Sequence, residues 1–425
     1  MALDPEKFRE FRENLDEIIE MAPGSEDFNK SIMDTAFGDA LRETEELVDD
    51  SRPPRLYVFG RSGAGKSSLI NALANKEVAD VGTVEPTTVE SEMYHVEFPD
   101  RYASWDIVDS RGLFESVSPD GDVPADTVEF MKEDLEEYRP DILIHVMTPD
   151  QVRAGEEDFE TVQTLRSELG DLFPPIVYCL NKVDMHASPS EWPPDEHESL
   201  AGDIKSNLDF VARILGEGEK TAFDDNRPLH GYKFDSDEHI GVVPAYLQEE
   251  GEYWNVETLS WLIGDFLPTD ARLQFIQAQQ RDELMRDMSR DLTKRFAGIS
   301  AGVGAYPTSL ADFPPLTAMQ LLLVGMIGGF SCREIERETV EDYLSSMGGT
   351  TLAAVGFRGL ARGIIQFVPG FGQAVSGAVA GAGTYAVGRS AEKFFFDDEV
   401  EKPSVFMGKG KEWIQNKGMA TNSDD

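Results

Sequence analysis

The sequence predicts an α/β chain: a doubly wound, mostly parallel sheet domain with helices before it and an all-α segment after it. Three observations carry this. Between Arg55 and Pro268 short apolar runs alternate with helical patterns, the order that builds a parallel sheet with helices on both faces. The first run leads into a glycine-rich turn, "GRSGAGKSS" at 60–68, which a helical pattern follows. Beyond Pro268 the strand patterns stop, and after a charged helix two uncharged stretches follow.

The elements follow in order. Phe8, Phe11, Leu15, Ile18 and Ile19 fall at helical spacing, as do Phe28, Ile32, Phe37 and Leu41. "APGS" (22–25) separates these two helices, with Ser25 as the N-cap of the second. "SRPP" (51–54) breaks the chain before the strand "RLYVFG". Residues 91–98 and 102–109 read as a strand pair. "DILIHVM" (141–147) and "PIVYCLNK" (175–182) are apolar runs of the kind buried on both faces of a parallel sheet. Helical patterns occupy 127–139, 154–169 and 197–216. "GVVPAYL" (241–247) is the last strand and 255–267 the closing helix, while polar 217–240 reads as a surface insertion. A charged helix continues over 269–297, and an amphipathic one spans "SCREIERETVEDYLSSM". The expected domains are 1–53, a helical segment; 54–268, the sheet domain; 269–397, an apolar helical domain; and 398–425, a polar, frayed tail.

Charge narrows the function. The 425 residues hold 38 Lys+Arg and 80 Asp+Glu, a net charge of −42. Residues 1–268 carry −39 of it and residues 269–425 only −3. Such a surface repels nucleic acid, whose binding needs Lys and Arg on the phosphates. The acid is spread over many positions and resembles the surface of proteins from salt-loving archaea, where short Debye lengths relieve self-repulsion. Two cysteines, Cys179 and Cys332, make no disulfide framework and no metal spacing. The charged start "MALDPEKFRE" lacks the apolar core of a signal peptide, so a cytoplasmic location is expected.

The glycine-rich turn fits G-x-x-x-x-G-K-[ST] between a strand and a helix. Gly60, Ser62, Gly63, Ala64, Gly65, Lys66, Ser67 and Ser68 would wrap backbone N–H groups around phosphates at a helix N-terminus. Lys66 would reach the β- and γ-phosphates, and the Ser67 hydroxyl would bind Mg²⁺. "WDIVDSRG" puts Asp109 at a strand end as a second metal group, with the Gly112 N–H at the γ-phosphate. "NKVD" (181–184) points to guanine: a carboxylate at Asp184 accepts from both N1–H and the 2-amino group, a pair adenine lacks. Asn181 would brace the pocket, and the Lys182 stem would cover the base. Thr88 in "VEPTTVE" (84–90) is the switch residue expected to meet Mg²⁺ and the γ-phosphate. Ala245 in "VVPAYL" is assigned the last backbone contact to the base, with Tyr246 as the alternative.

Residues 55–268 resemble an Era-like GTPase of the translation-factor-related class, on "GRSGAGKSSLINAL" above all. Residues 290–395 resemble a helical domain of unknown function that trails such GTPases. This implies a P-loop GTPase domain that hydrolyses GTP to GDP and phosphate with Mg²⁺, as a switch. Lys66, Thr88 and Gly112 are its catalytic positions. Ser67, Thr88 and Asp109 are its metal positions. The chain departs from the pattern at three points. Leu113 stands where Ras-like enzymes orient water with glutamine. Gly63 replaces the asparagine through which some Era-like enzymes hold K⁺, and Arg111 replaces the usual proline. Arg111 and Arg61 read either as solvated residues or as fingers across a homodimer. A nucleotide-gated scaffold and a ribosome-assembly GTPase are the alternative functions.

Phe313–Cys332 and Gly363–Gly388 are uncharged over 20 and 26 residues. Three readings stay open: the core of a soluble helical domain, a shallow or re-entrant insertion at the inner face of the membrane, or full spans. The partners expected are therefore GTP, a membrane lipid or protein effector, and a second copy of the chain.

Overall fold

The computed structural model describes residues 4–19, 42, 44–45, 47–75, 91–110, 125–154, 157–185, 187–215, 220–223, 228–247, 253–279, 282–303, 314–347 and 377–420. The second predicted N-terminal helix, with its Ser25 cap, lies largely outside these residues. The chain divides into two compact units, one built from 52–99 and 103–279, the other from 1–51, 100–102 and 280–425.

The first unit is a sheet of β1 (Arg55–Phe59), β2 (Glu92–Phe98), β3 (Ala103–Asp109), β4 (Ile142–Met147), β5 (Ile176–Leu180), β6 (Lys220–Ala222), β7 (Tyr232–Phe234) and β8 (His239–Pro244). The strand order is β2-β3-β1-β4-β5-β8-β7-β6. β3, β1, β4, β5 and β8 run parallel, and β2, β6 and β7 are antiparallel additions. Every residue of β4, β5 and β8 is buried, as continuous apolar runs require when helices cover both faces.

The helices are α2 (Lys66–Ala74), α3 (Ala125–Tyr138), α4 (Pro149–Ala154), α5 (Glu157–Leu169), α6 (Glu198–Leu215), α7 (Val256–Phe266) and α8 (Thr269–Gln279), α1 being Pro5–Ile19 of the other unit. Met131, Phe159, Val162, Leu165, Leu208 and Val211 from α3, α5 and α6 join Tyr57, Leu143 and Tyr178 in one core. On α8, the Phe275 ring stacks on Trp105 of β3 at 5.1 Å, and the Gln274 carbonyl accepts from the Trp105 indole at 3.3 Å. Arg52 pins this corner. Its guanidinium meets Asp141 through two nitrogens at 2.7 and 2.8 Å and Asp270 of α8 at 2.7 Å.

Two expectations change here. The described residues of 217–240 are more than a surface insertion: β6 and β7 extend the sheet beyond β8, and Tyr232 and Phe234 are buried. Three-residue strands are too short to show their alternation among charged neighbours. The helix expected over 269–297 is two helices, and the first, α8, packs with the sheet.

The second unit contains α1, α9 (Asp282–Val303), α10 (Pro314–Phe330), α11 (Arg337–Ser346), α12 (Gly377–Asp397) and α13 (Met407–Ala420). Residues 316–330 of α10 are all buried. A helix that is apolar all round needs cover all round, and here protein supplies it. Phe11 of α1 lies over Gly325, where an added Cβ would meet the ring at 2.9 Å. On α12, an added Cβ would lie 2.7 Å from the Ala297 carbonyl at Gly381 and 2.3 Å from Thr293 Oγ1 at Gly388, so the glycines set the approach of α12 to α9. Gln320 Nε2 donates to Thr384 Oγ1 (3.2 Å), which donates to Ser300 Oγ (2.9 Å), joining α10, α12 and α9. Among the described residues no helix is long and apolar enough to cross a membrane. Of the stretch 363–388, residues 363–376 lie outside the described residues. The tail expected to fray holds α13, whose Trp413 stacks on Tyr385 at 6.1 Å, with Phe406 and Met407 buried against Ala382 and Ala386 of α12. Its polar composition hid two anchoring side chains.

Gly388→Ala is expected to push α9 and α12 apart and to cost about 1–3 kcal/mol, the usual range for overpacking. Gly302→Ala on the same α9 meets open space and should be neutral or stabilising by up to ~1 kcal/mol. Urea unfolding of the two variants checks the contrast.

Candidate nucleotide-binding site

Strand register gathers the predicted residues at one end of the sheet. Val58 pairs with Asp109, Phe59 with His145, Met147 with Leu180, and Leu180 with Pro244. The carboxyl ends of β1, β3, β4, β5 and β8 therefore finish side by side. That edge is where ligands bind in open parallel sheets.

The loop after β1 has the backbone that its glycines permit. Gly60, Gly63 and Gly65 sit at φ of 147°, 76° and 100°. Two of them also give up side-chain space. A Cβ on Gly60 would lie 2.2 Å from the Val146 carbonyl oxygen, and one on Gly65 2.2 Å from Asn181 Nδ2. α2 starts at Lys66, so Lys66, Ser67 and Ser68 stand in its first turn, where N–H groups lack helical acceptors. Lys66 Nζ donates to the Gly60 carbonyl at 3.0 Å, which holds the ammonium across the mouth of the loop. Ser62 and Gly63 are exposed at the tip, while Ala64 is buried.

The loop after β5 is bound to the first loop directly. Asn181, 2% exposed, donates from Nδ2 to the Ala64 carbonyl at 2.8 Å. Its Oδ1 accepts the Lys182 amide at 2.7 Å. Lys182 adopts φ 60°, and its Nζ donates to the Gly63 carbonyl at 2.7 Å. Asp184 follows two residues on, close enough that its charge adds to burial in raising the Tyr246 phenol.

The Ala245 and Tyr246 amides, the backbone contacts expected for the base, are both engaged within the protein. The Ala245 amide donates to the Leu180 carbonyl at 2.8 Å, and the Tyr246 amide to the Trp254 carbonyl at 3.2 Å. Both donors are spent within the protein, because β8 keeps its ladder with β5 one residue past the strand end. Tyr246 instead offers its ring, 4.7 Å from that of Trp192.

Asp109 is 5% exposed at the end of β3. The Asp109 carboxylate and Ser67 hydroxyl are hard oxygen donors, the chemistry Mg²⁺ selects, with phosphate and water completing its shell. Among the described residues no group of three or more His, Cys, Asp or Glu could hold a metal by itself. Thr88, Gly112, Arg111 and Leu113 lie outside the described residues.

Arg61 is engaged: its guanidinium pairs with the buried Asp158 carboxylate of α5 at 2.6 Å. Sequence reasoning missed Asp158, since one acid among eighty carries no signal. His145 of β4 is fully buried, its ring stacked at 4.8 Å on Phe59, the residue before Gly60.

Residues 55–182 match the family described as 50S ribosome-binding GTPase. The chain thus carries a P-loop GTPase domain. It is 32% identical over 92 residues to GTPase Der of Chromobacterium violaceum, covering 19% of each chain. It is 33% identical over 76 residues to GTPase Der of Campylobacter hominis, covering 18% of this chain and 16% of that one. The chain spans less than a fifth of the length of these curated relatives. Among solved structures it is similar to Aquifex aeolicus Era bound to GDP·AlF₄⁻, at 19% identity and TM-score 0.33, covering 50% of this chain and 56% of that one. It is also similar to Arabidopsis thaliana Toc33 in complex with GDP and Mg²⁺, at 19% identity and TM-score 0.34, covering 58% and 93%.

Burial lowers His145 to about 4, and burial with the nearby Arg166 charge lowers His239 to about 4. Unfolded imidazoles titrate near ~6.5. Between these values the unfolded chain holds more protons, so stability is full above pH ~6.5 and falls as pH drops towards 4. A tenfold difference in proton affinity between the two states is worth about 1.4 kcal/mol. Unfolding midpoints measured across this window should show the slope, and His145→Phe should flatten it.

Proposed function

We propose that this protein binds GTP with Mg²⁺, hydrolyses it to GDP and phosphate, and works as a switch whose state is read through its helical unit. One observation carries the reading. Asn181 and Lys182 donate to the Ala64 and Gly63 carbonyls, which ties the loop proposed to hold phosphate to the loop proposed to read the base.

Each residue then has a role. Gly60 to Ser68 supply amides and a helix N-terminus to the α- and β-phosphates. Lys66 exchanges the Gly60 carbonyl for phosphate oxygens. Asp184 accepts from guanine, and the Lys182 stem lies along the base. Ser67 and Asp109 would hold Mg²⁺, which supplies charge neutralisation between the phosphates, and Thr88 and Gly112 would complete the γ-phosphate contacts. The residue after Gly112 is Leu113, which cannot orient water, so this chain's own turnover should be slow until a partner adds a group.

The effector is a protein or a lipid surface met by the helical unit. Burial of residues 316–330 of α10 supports contact through outer surfaces and not through that helix. The dispersed acid supports a working medium of high salt, where a Debye length near ~3 Å at 1 M screens self-repulsion. The matched family's description supports a second reading, in which the partner is the large ribosomal subunit. With −42 net charge, that contact would be to ribosomal protein and not to exposed rRNA phosphate.

GTP turnover in molar KCl with Mg²⁺, with and without liposomes, tests the main reading against a Lys66→Ala background. Stimulation by lipid supports a membrane effector. Tight GTP binding with no turnover under either condition would favour the scaffold. Co-sedimentation with 50S subunits that survives molar salt would favour the ribosomal reading.

Asp184→Asn swaps an acceptor for a mixed donor and acceptor. It should lower GTP affinity by at least ~10-fold, since lost hydrogen bonds to a charged group are worth about 1.5–3 kcal/mol. XTP, whose C2 carbonyl suits the new amide, should recover binding. Competition titration of GTP against XTP reads both.

A further inference from the structure

The phosphate loop has a fourth clamp, outside the motif that defines it. Arg61, the first variable residue of the loop, turns its guanidinium onto α5. Its Nε lies 2.9 and 3.0 Å from Asp158 Oδ1 and Oδ2, and its Nη2 lies 2.6 Å from Oδ1. The Asp158 side chain is 8% exposed and that of Arg61 40%. A planar fork matched to a fixed carboxylate is a geometry that lysine does not reproduce. The floor beside this pair is also fixed. Phe59, the residue before Gly60, stacks on His145 with an interplanar angle of 9°, and Phe159, next to Asp158, meets His145 edge-on.

We propose that Asp158 is a positioning residue for the phosphate loop, acting through Arg61 to hold the loop in its binding shape before nucleotide arrives. The reason is entropic. A loop with three glycines at positive φ has more conformations to lose than a glycine-free peptide of its length. A ligand that must order the loop keeps only that share of its intrinsic affinity given by the fraction of chain already in the competent shape. An anchor at Arg61, two residues before the exposed tip at Gly63, raises that fraction. It acts on the part of the loop that wraps the α- and β-phosphates, so GDP and GTP gain alike. The same engagement removes Arg61 from the role of a finger on a partner's phosphate. The proposal rests on the guanine-nucleotide reading above.

Fluorescent mant-GDP and mant-GTP titrations on the full chain test it, with wild type, Arg61→Ala, Arg61→Lys, Asp158→Asn, the double variant R61A/D158N and Lys66→Ala. Arg61→Ala and Asp158→Asn should each weaken both nucleotides about ten-fold, the size of a coupling near 1.4 kcal/mol. R61A/D158N should be no weaker than either single change, and Arg61→Lys should fall in between. In turnover assays KM should rise by more than kcat falls. A purely structural role would lower the melting temperature and leave nucleotide affinity within two-fold of wild type; that result overturns the proposal, as does a multiplicative loss in the double variant. Should Asp158→Asn fail to fold, the Arg61 variants, changed at the more exposed partner, decide the matter alone. Wild type that binds no guanine nucleotide would overturn the underlying reading. Wild type that binds while all Arg61 and Asp158 variants bind equally well would overturn only the role of Asp158.

Discussion

The hydrogen bond from Asn181 Nδ2 to the Ala64 carbonyl, 2.8 Å long between residues 117 apart in sequence, is the contact on which the site depends. It exists only because Gly65 has no side chain: a Cβ there would lie 2.2 Å from the same nitrogen. It also needs β1, β4 and β5 to be adjacent, which the order β1-β4-β5 provides. A polar side chain 2% exposed must find a partner or carry the cost of desolvation. The Ala64 carbonyl and the Lys182 amide together satisfy Asn181. That satisfaction fixes where the 181–184 turn stands relative to the glycine-rich loop.

The sheet unit shows how so acidic a chain stays folded. Several of its carboxylates that enter the interior have fixed partners. Asp141 and Asp270 share Arg52, whose guanidinium they push above its ordinary pKa, and Asp158 takes Arg61. Asp134 accepts from the Tyr57 hydroxyl at 2.5 Å, and burial raises its carboxyl above the usual range. Pairs of this kind add little over apolar packing, but losing one partner is costly. They therefore fix geometry more than they add stability.

The helical unit meets a different constraint. Its central helix, α10, has no polar face to give to solvent, so other helices must enclose it. Close packing of those helices needs small residues, and Gly381 and Gly388, seven residues apart, let α12 lie against α9. Small-residue stripes serve close contact in bilayers and in water alike. The buried chain Gln320–Thr384–Ser300 then fixes the register of three helices that would otherwise slide. Glu392, also buried, is held by Arg290 at 2.9 Å and by Arg389.

What depends on local chemistry was legible in the amino-acid order alone. The glycines of 60–65, the lysine after them, the apolar runs 141–147 and 175–182 and the "NKVD" turn are short patterns in which each residue type has one physical use. They made the α/β class and the P-loop readable without any contact being known, and they singled out the 181–184 turn. Whatever required two distant segments to meet was settled by the folded chain. Folding spent the Ala245 amide on Leu180, gave Arg61 to Asp158, added β6 and β7 to a sheet edge, and docked α13 through Phe406 and Met407. It also enclosed α10, where the sequence left a core, a shallow insertion and a span all open. Hydrophobicity says that a segment must leave water. Only packing says whether protein or lipid receives it.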